Sequence, residues 1–111
     1  MRIASRLAAV ALAATAAVAM ASPAQARINP AGLLDCESGG YYHYTCTIID
    51  SGTHTGQYWK YNGSHVVSGD GHNSVYGACA ANLNFTIGVT YVKNGVTKTT
   101  GMSLNCLQYW Q

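Results

Sequence analysis

The stretch LNFTIGVTYVKNGVTKTTGMSLNC, residues 83–106, decides the fold. Leu83, Phe85, Ile87, Val89 and Tyr91 alternate with Asn84, Thr86, Gly88 and Thr90, the period-2 pattern of a half-buried strand. Asn94-Gly95 is a type I′ turn signal, since both positions of that turn need positive φ. A two-residue loop pairs Lys93 with Val96, and therefore Val89 with Thr100, Ile87 with Met102 and Phe85 with Leu104. The apolar residues of both strands then meet on one face. A one-residue slip would send the whole set to the opposite face, so this agreement fixes the register. The chain therefore contains a long antiparallel hairpin.

Upstream, the pattern stays β. Pro30 lies in an extended tail over residues 27–31. Residues 32–37 form a first strand, Ser38-Gly39-Gly40 a turn, and residues 41–49 a second strand with Tyr42, Tyr44, Cys46 and Ile48 on one face. A polar loop over Asp50–Gly56 leads to a short strand, residues 57–61, that carries Trp59. Asn62-Gly63 turns the chain into His65-Val66-Val67. After a second polar loop, Ser68–Ser74, Val75-Tyr76 form a brief edge strand. The expectation is an all-β, small two-sheet antiparallel sandwich.

Four cysteines, at 36, 46, 79 and 106, follow an N-terminal segment built like an export signal. Arg2 and Arg6 precede the apolar run Leu7–Ala21, and Ala24-Gln25-Ala26 is a small-x-small cleavage site. Cleavage after Ala26 makes residues 1–26 a secretory signal peptide and residues 27–31 a tail ahead of one domain, 32–111. The product is expected to be secreted, extracellular and monomeric, with no stable membrane insertion. Disulfides suit that compartment and that size. Four cysteines allow three pairings. The hairpin register puts Cys106 opposite Leu83, with Cys79 four residues before it, which makes 79–106 easy to form. A first-hairpin loop of three or five residues sets Cys36 directly opposite Cys46, so 36–46 and 79–106 are the expected pairs.

Beyond residue 26, Arg27, Lys60, Lys93 and Lys98 balance Asp35, Glu37, Asp50 and Asp70, so the formal side-chain charge is zero. A neutral domain lacks the electrostatic footprint of a nucleic-acid or anionic-membrane binder. The four carboxylates offer no evident pair for glycoside chemistry. No nucleophile motif accompanies the serines and histidines, and the cysteines are committed to disulfides. The chain is read as non-catalytic, with no cofactor. His43, His54, His65 and His72 lack tight metal-ligand spacing. Asp70-Gly71-His72 is the one plausible ligand pair, and no metal site is expected. Aromatic side chains are the candidate contact residues: Tyr41 at the first turn, Tyr58 on the face opposite Trp59, and Tyr109-Trp110 at the C-terminal end.

Cys36-x-Ser38-Gly39, Tyr44-x-Cys46, Trp59-x-Tyr61-Asn62-Gly63 and Gly77-Ala78-Cys79, with the closing hairpin ending at Cys106, together resemble small bacterial secreted immunoglobulin-like domains. The likeness spans nearly the whole chain after the signal. It implies an immunoglobulin-like sandwich with Trp59 packed in the core, since such folds bury a tryptophan on their third strand. One departure is plain: strand 83–93 has no cysteine, so the inter-sheet bridge of antibody-type domains is absent. The function implied is a binding domain for an extracellular protein or carbohydrate, with the Asp50–Gly56 and Ser68–Asn73 loops as its tips. A second likeness is to small secreted α-amylase inhibitors, which use a Trp-Arg-Tyr triplet on an exposed turn. Trp59-Lys60-Tyr61 lies just before the Asn62-Gly63 turn. Here lysine replaces the fork-shaped arginine, and the triplet falls between the second and third cysteines instead of the first and second. That resemblance implies a hydrolase inhibitor with an exposed Trp59.

Overall fold

A computed structural model describes residues 27–110; the expected signal peptide lies outside them. Seven strands follow in order: β1 Leu34–Gly39, β2 His43–Ile48, β3 Thr55–Tyr61, β4 Ser64–His65, β5 Ser74–Ala78, β6 Asn84–Lys93 and β7 Val96–Asn105. They form two antiparallel sheets, one ordered β1-β2-β5 and the other β4-β3-β6-β7. The protein is an all-β, two-sheet antiparallel sandwich with two disulfides. Among the described residues no helix is long and apolar enough to cross a membrane.

The closing hairpin has the register its pattern dictates. Lys93 pairs with Val96, Val89 with Thr100, Ile87 with Met102 and Phe85 with Leu104. Asn94 (φ 53°) and Gly95 (φ 76°) both take positive φ, as a type I′ turn requires. The first hairpin pairs Cys36 with Cys46 and Gly39 with His43, leaving a three-residue loop of Gly40, Tyr41 and Tyr42. The disulfides are 36–46 and 79–106. The second bridge does more than brace the last hairpin. Cys79 follows β5 in one sheet and Cys106 follows β7 in the other, so the bond ties the two sheets at a shared end.

Inward side chains from both sheets make the core: Leu34, Tyr44, Ile48 and Val75 from one, Trp59, Phe85, Ile87, Val89, Tyr91 and Leu104 from the other. Tyr44 spans the gap, its ring 5.5 Å from Phe85 and 5.4 Å from Tyr61. Trp59 is fully buried, and its indole N–H donates to His72 O at 2.9 Å. That bond satisfies the polar atom that burying a tryptophan would otherwise strand.

Several local expectations need correction. Val67 does not extend a strand; Val67–Gly69 is a 3₁₀ turn that drops the chain across Trp59. Only glycine fits there, because a Cβ on Gly69 would lie 2.6 Å from the indole Cδ1. The third strand begins at Thr55, two residues early, through an irregularity between Thr55 and Tyr58 at positive-φ Gly56. Tyr41 and Tyr42 are loop, not strand. Leu83 lies just before β6 and its side chain is exposed, although its carbonyl still accepts from Cys106 N–H at 2.9 Å. Residues 27–29 return along the edge of β1. Ile28 bridges Asp35, and Arg27 O accepts from Cys36 N–H at 2.7 Å. Buried Asn29 accepts from the Leu33 and Leu34 N–H groups and donates to Thr100 Oγ1 and Gly101 O.

Two glycines on the outer face of the larger sheet give a paired prediction. Gly88 and Gly101 are cross-strand partners. A Cβ on Gly88 would meet only Thr100 O, at 3.6 Å, whereas one on Gly101 would sit 2.7 Å from Ile87 O. Gly88→Ala is therefore expected to stabilise the strand by about 0.5–1 kcal/mol. Gly101→Ala is expected to cost roughly 1–3 kcal/mol through backbone displacement. Urea denaturation of the two variants checks the opposite signs.

Candidate functional site at an aromatic tip

The β1–β2 turn, the β5–β6 connection and the segment after β7 meet at one end of the sandwich. The chain after Cys106 folds back onto the first turn. Tyr41 N–H donates to Gln108 O at 2.7 Å and Tyr42 N–H to Leu107 O at 3.2 Å, while Cys79 N–H donates to Tyr42 O at 2.9 Å. These bonds hold Tyr41 and Tyr42 at φ 62° and 69°. Left-handed backbone is unusual for bulky residues, and two in succession cost on the order of 1–3 kcal/mol each. The 79–106 bridge anchors both strands that impose this conformation.

The outcome is an aromatic surface. Tyr41 is 65% exposed, Tyr109 64% and Trp110 44%. The rings of Tyr41 and Tyr109 meet edge-on with centroids 6.1 Å apart. Trp110 lies over Gly39 and Gly40. A Cβ on Gly39 would fall 2.5 Å from its Cδ2, and one on Gly40 2.9 Å from its Cζ2. The Gly-Gly pair thus clears a seat for the indole as well as shaping the turn. His43 Nδ1 donates to Gly40 O at 2.9 Å, and its ring stacks on Tyr76 at 5.2 Å, with planes 8° apart. Tyr76 is 61% exposed.

Of the residues singled out from sequence, the fold unites Tyr41, Tyr109 and Trp110. Tyr58 and Lys60 sit apart, on the outer face of the larger sheet. There Tyr58 stacks on His65 at 4.1 Å, with Lys60 Nζ 5.9 Å from the Tyr58 ring. Trp59 and Tyr61 point the other way. Trp59 is core, and Tyr61 is half-buried between Tyr44 and Phe85. The Trp59-Lys60-Tyr61 triplet therefore does not form one exposed surface, since alternate strand residues face opposite sides. Tyr76 and His43 were missed as contact residues. Their stack depends on β2–β5 pairing across a long sequence separation, which only the Tyr76 edge-strand position hinted at.

The Asp50–Gly56 and Ser68–Asn73 loops lie at the opposite end, with much of their polar chemistry turned inward. Asn73 Oδ1 accepts from Gln57 Nε2 at 2.6 Å and from His54 Nδ1 at 3.2 Å. Asp50 accepts from Lys93 Nζ at 2.6 Å, Lys98 Nζ at 2.8 Å and the Tyr91 hydroxyl at 2.8 Å. Asp70 bonds His65 Nε2 at 2.6 Å, so it is engaged away from His72. Among the described residues, no three His, Cys, Asp or Glu side chains gather as metal ligands do.

The Asp50 cluster sets a pH window. Hydrogen bonds from Lys93, then Lys98 and Tyr91, hold the Asp50 carboxyl well below the usual carboxylate range. Burial, then the bond to Asp50, pushes the Tyr91 phenol up to about 12. A depressed carboxyl stabilises the fold above its unfolded pKa, near 4, and that contribution fades as pH falls below it. A raised phenol contributes fully below pH ~10 and loses its contribution between about 10 and 12. Melting temperature is expected to plateau between these limits. Asp50→Asn should make the acid limb shallower and Tyr91→Phe the alkaline limb; melts across the pH range check both.

No known protein family, curated protein or solved structure matches this chain. Its class is thus defined by its own geometry: a disulfide-braced β-sandwich whose strained, strapped end presents exposed aromatic rings.

Proposed function

We propose that the chain is a secreted, non-catalytic, immunoglobulin-like binding domain, and that the aromatic tip is its recognition surface. The observation that carries this reading is the tip itself. A backbone conformation that costs energy is maintained by bonds from the C-terminal segment, and it keeps large aromatic rings in solvent. Strain of that kind gathers at functional sites, and aromatic residues dominate recognition surfaces.

The immunoglobulin-like part is supported by strand order. Lettered in chain order A, B, C, C′, E, F, G, the strands divide as A-B-E and C′-C-F-G. Immunoglobulin sandwiches likewise separate A, B and E from C, F and G. The core tryptophan lies on the third strand, where those folds place theirs. The non-catalytic part is supported by the carboxylates. Asp35 and Glu37 face Arg27, Asp50 holds two lysines, and Asp70 holds His65. All four are engaged in ion pairs, Asp35 and Glu37 sharing Arg27. Export is supported by the two disulfides, which form in oxidising compartments.

Affinity capture from the native secretome and cell-wall fraction tests the reading. Wild-type protein should retain a partner, and Trp110→Ala and Tyr109→Ala should lose it with their folds intact. Substitutions of the exposed Ser51 and Thr53 should not matter. Capture that survives both tip variants but fails on the loop substitutions would move the site to the other end. The inhibitor reading has less support, because it needs Trp59 at the surface.

A further inference from the structure

We propose that the aromatic tip binds neutral carbohydrate, an uncharged pyranose chain whose C–H face stacks on Trp110 between the tyrosines. This rests on the reading of the tip as a recognition surface and names the ligand class it fits.

Charge is the first argument. The segments that build the tip, residues 39–43, 76–83 and 105–110, contain no Asp, Glu, Lys or Arg. The nearest acid in sequence, Glu37, is already paired with Arg27 at 3.1 Å. Asp35 faces the same Arg27, and the remaining charges sit in the Asp50–Lys93–Lys98 cluster at the far end or beside Tyr58 and His65 on the other sheet. Among the described residues of the tip, an anionic ligand meets no Lys or Arg side chain and a cationic ligand no Asp or Glu side chain. Charge complementarity, which normally steers and selects partners, therefore points to an uncharged one.

Shape is the second. The indole of Trp110 rests on the bare backbone of Gly39 and Gly40, whose missing Cβ atoms make room for it. One side of the ring is covered, yet nearly half of the residue remains in solvent. An indole supported by bare backbone and nearly half exposed suits a flat, weakly polar surface. The axial C–H groups of a pyranose form such a surface, and they carry the partial positive charge that the face of an aromatic ring attracts.

The rim supplies the third. His43 Nδ1 is the N–H that bonds Gly40 O, which leaves Nε2 an acceptor in the neutral ring. The phenol groups of Tyr41 and Tyr76 make no side-chain hydrogen bond among the described residues and both residues are exposed, so donors and acceptors for sugar hydroxyls are present at the same end of the sandwich. Tyr41 and Tyr109 meet edge to face at the same end of the sandwich and add exposed aromatic surface there.

The test uses the full oxidised protein with insoluble cellulose, chitin and β-1,3-glucan, soluble cello- and chito-oligosaccharides, and heparin as an anionic control. Binding to at least one neutral glycan is expected, with little change between about 0.05 and 0.5 M salt. Trp110→Ala should weaken it about tenfold. Tyr109→Ala, at an exposed position, should weaken it several-fold and keeps the test valid if the Trp110 variant fails to fold. Tyr58→Ala and Lys60→Ala should bind like wild type. Uptake on the insoluble forms alone would place the ligand at a polysaccharide surface; equal binding of soluble chains would place it on single strands. Preference for heparin, or binding that ignores both tip variants, overturns the proposal. Retention of a protein in a Trp110-dependent way, with no neutral glycan bound, overturns the ligand class while leaving the recognition surface standing. No Trp110-dependent capture of anything overturns both.

Discussion

Replacing both partners of the sheet-to-sheet bridge, as Cys79→Ala/Cys106→Ala, is expected to lower stability by about 3.5 kcal/mol, against about 2.7 kcal/mol for Cys36→Ala/Cys46→Ala. The difference follows from loop length, since the bridges span sequence separations of 27 and 10 residues. The locations matter more than that gap. Cys36 and Cys46 are already partners in a continuous ladder, whereas 79–106 joins two sheets that at that end are otherwise linked through the loop-to-tail bonds of Tyr41 and Tyr42 and the Ser38 side chain. Its loss also frees the segment whose Leu107 and Gln108 carbonyls hold Tyr41 and Tyr42 in left-handed backbone. Urea denaturation should rank the variants in that order. Hydrogen exchange at the Tyr41 and Tyr42 amides should accelerate selectively in the 79–106 variant. Equal exchange in both would show that the tip holds its conformation without the bridge.

Trp59→Ala should have the largest effect of any single substitution, roughly 3–5 kcal/mol. The side chain is fully buried against the Gly69 backbone, and its removal opens a cavity and strips His72 O of its donor. Small domains commonly have only 5–15 kcal/mol in total, so this variant should melt many degrees lower. Trp59→Phe should lose less, because it keeps most of the volume and forfeits chiefly the hydrogen bond. With Trp110→Phe as background, Trp59 emission should be blue-shifted and resist iodide quenching. A red-shifted, quenchable signal would return Trp59 to the surface and revive the inhibitor reading.

The parts of the fold that could be read in advance are those governed by local chemistry. Asn94-Gly95 admits one tight turn, and alternation on either side admits one register, so the β6–β7 ladder and the reach from Cys106 to Cys79 followed. The three-residue length of the opening turn followed from setting Cys36 opposite Cys46, but its position did not, because Ser38-Gly39-Gly40 is itself an adequate turn. What shifts the loop to Gly40–Tyr42 is a set of carbonyls more than sixty residues away. Val67 looked like a strand residue by propensity, but the chain must cross between sheets there and cover Trp59, and packing overrides propensity. The site shows the same division. Tyr41, Tyr109 and Trp110 were each recognisable as outward aromatics, while their convergence depends on the C-terminal return. Tyr61 was misplaced because an exposed hairpin was assumed; the parity it shares with Trp59 turns it inward.

The three residues from Arg27 to Asn29 cover a strand edge that would otherwise lie open. Side-chain charges on residues 27–110 cancel, so copies meeting in solution feel little repulsion. Open strand edges are templates for pairing with another chain. Ile28 and the Arg27 carbonyl occupy the edge of β1, and Asn29 reaches across to the Gly101 carbonyl on β7. Farther along β7, Ser38 bonds the Asn105 carbonyl. One flank of the sandwich is thereby closed by a few hydrogen bonds, leaving fewer unpaired backbone groups there for another strand to add to.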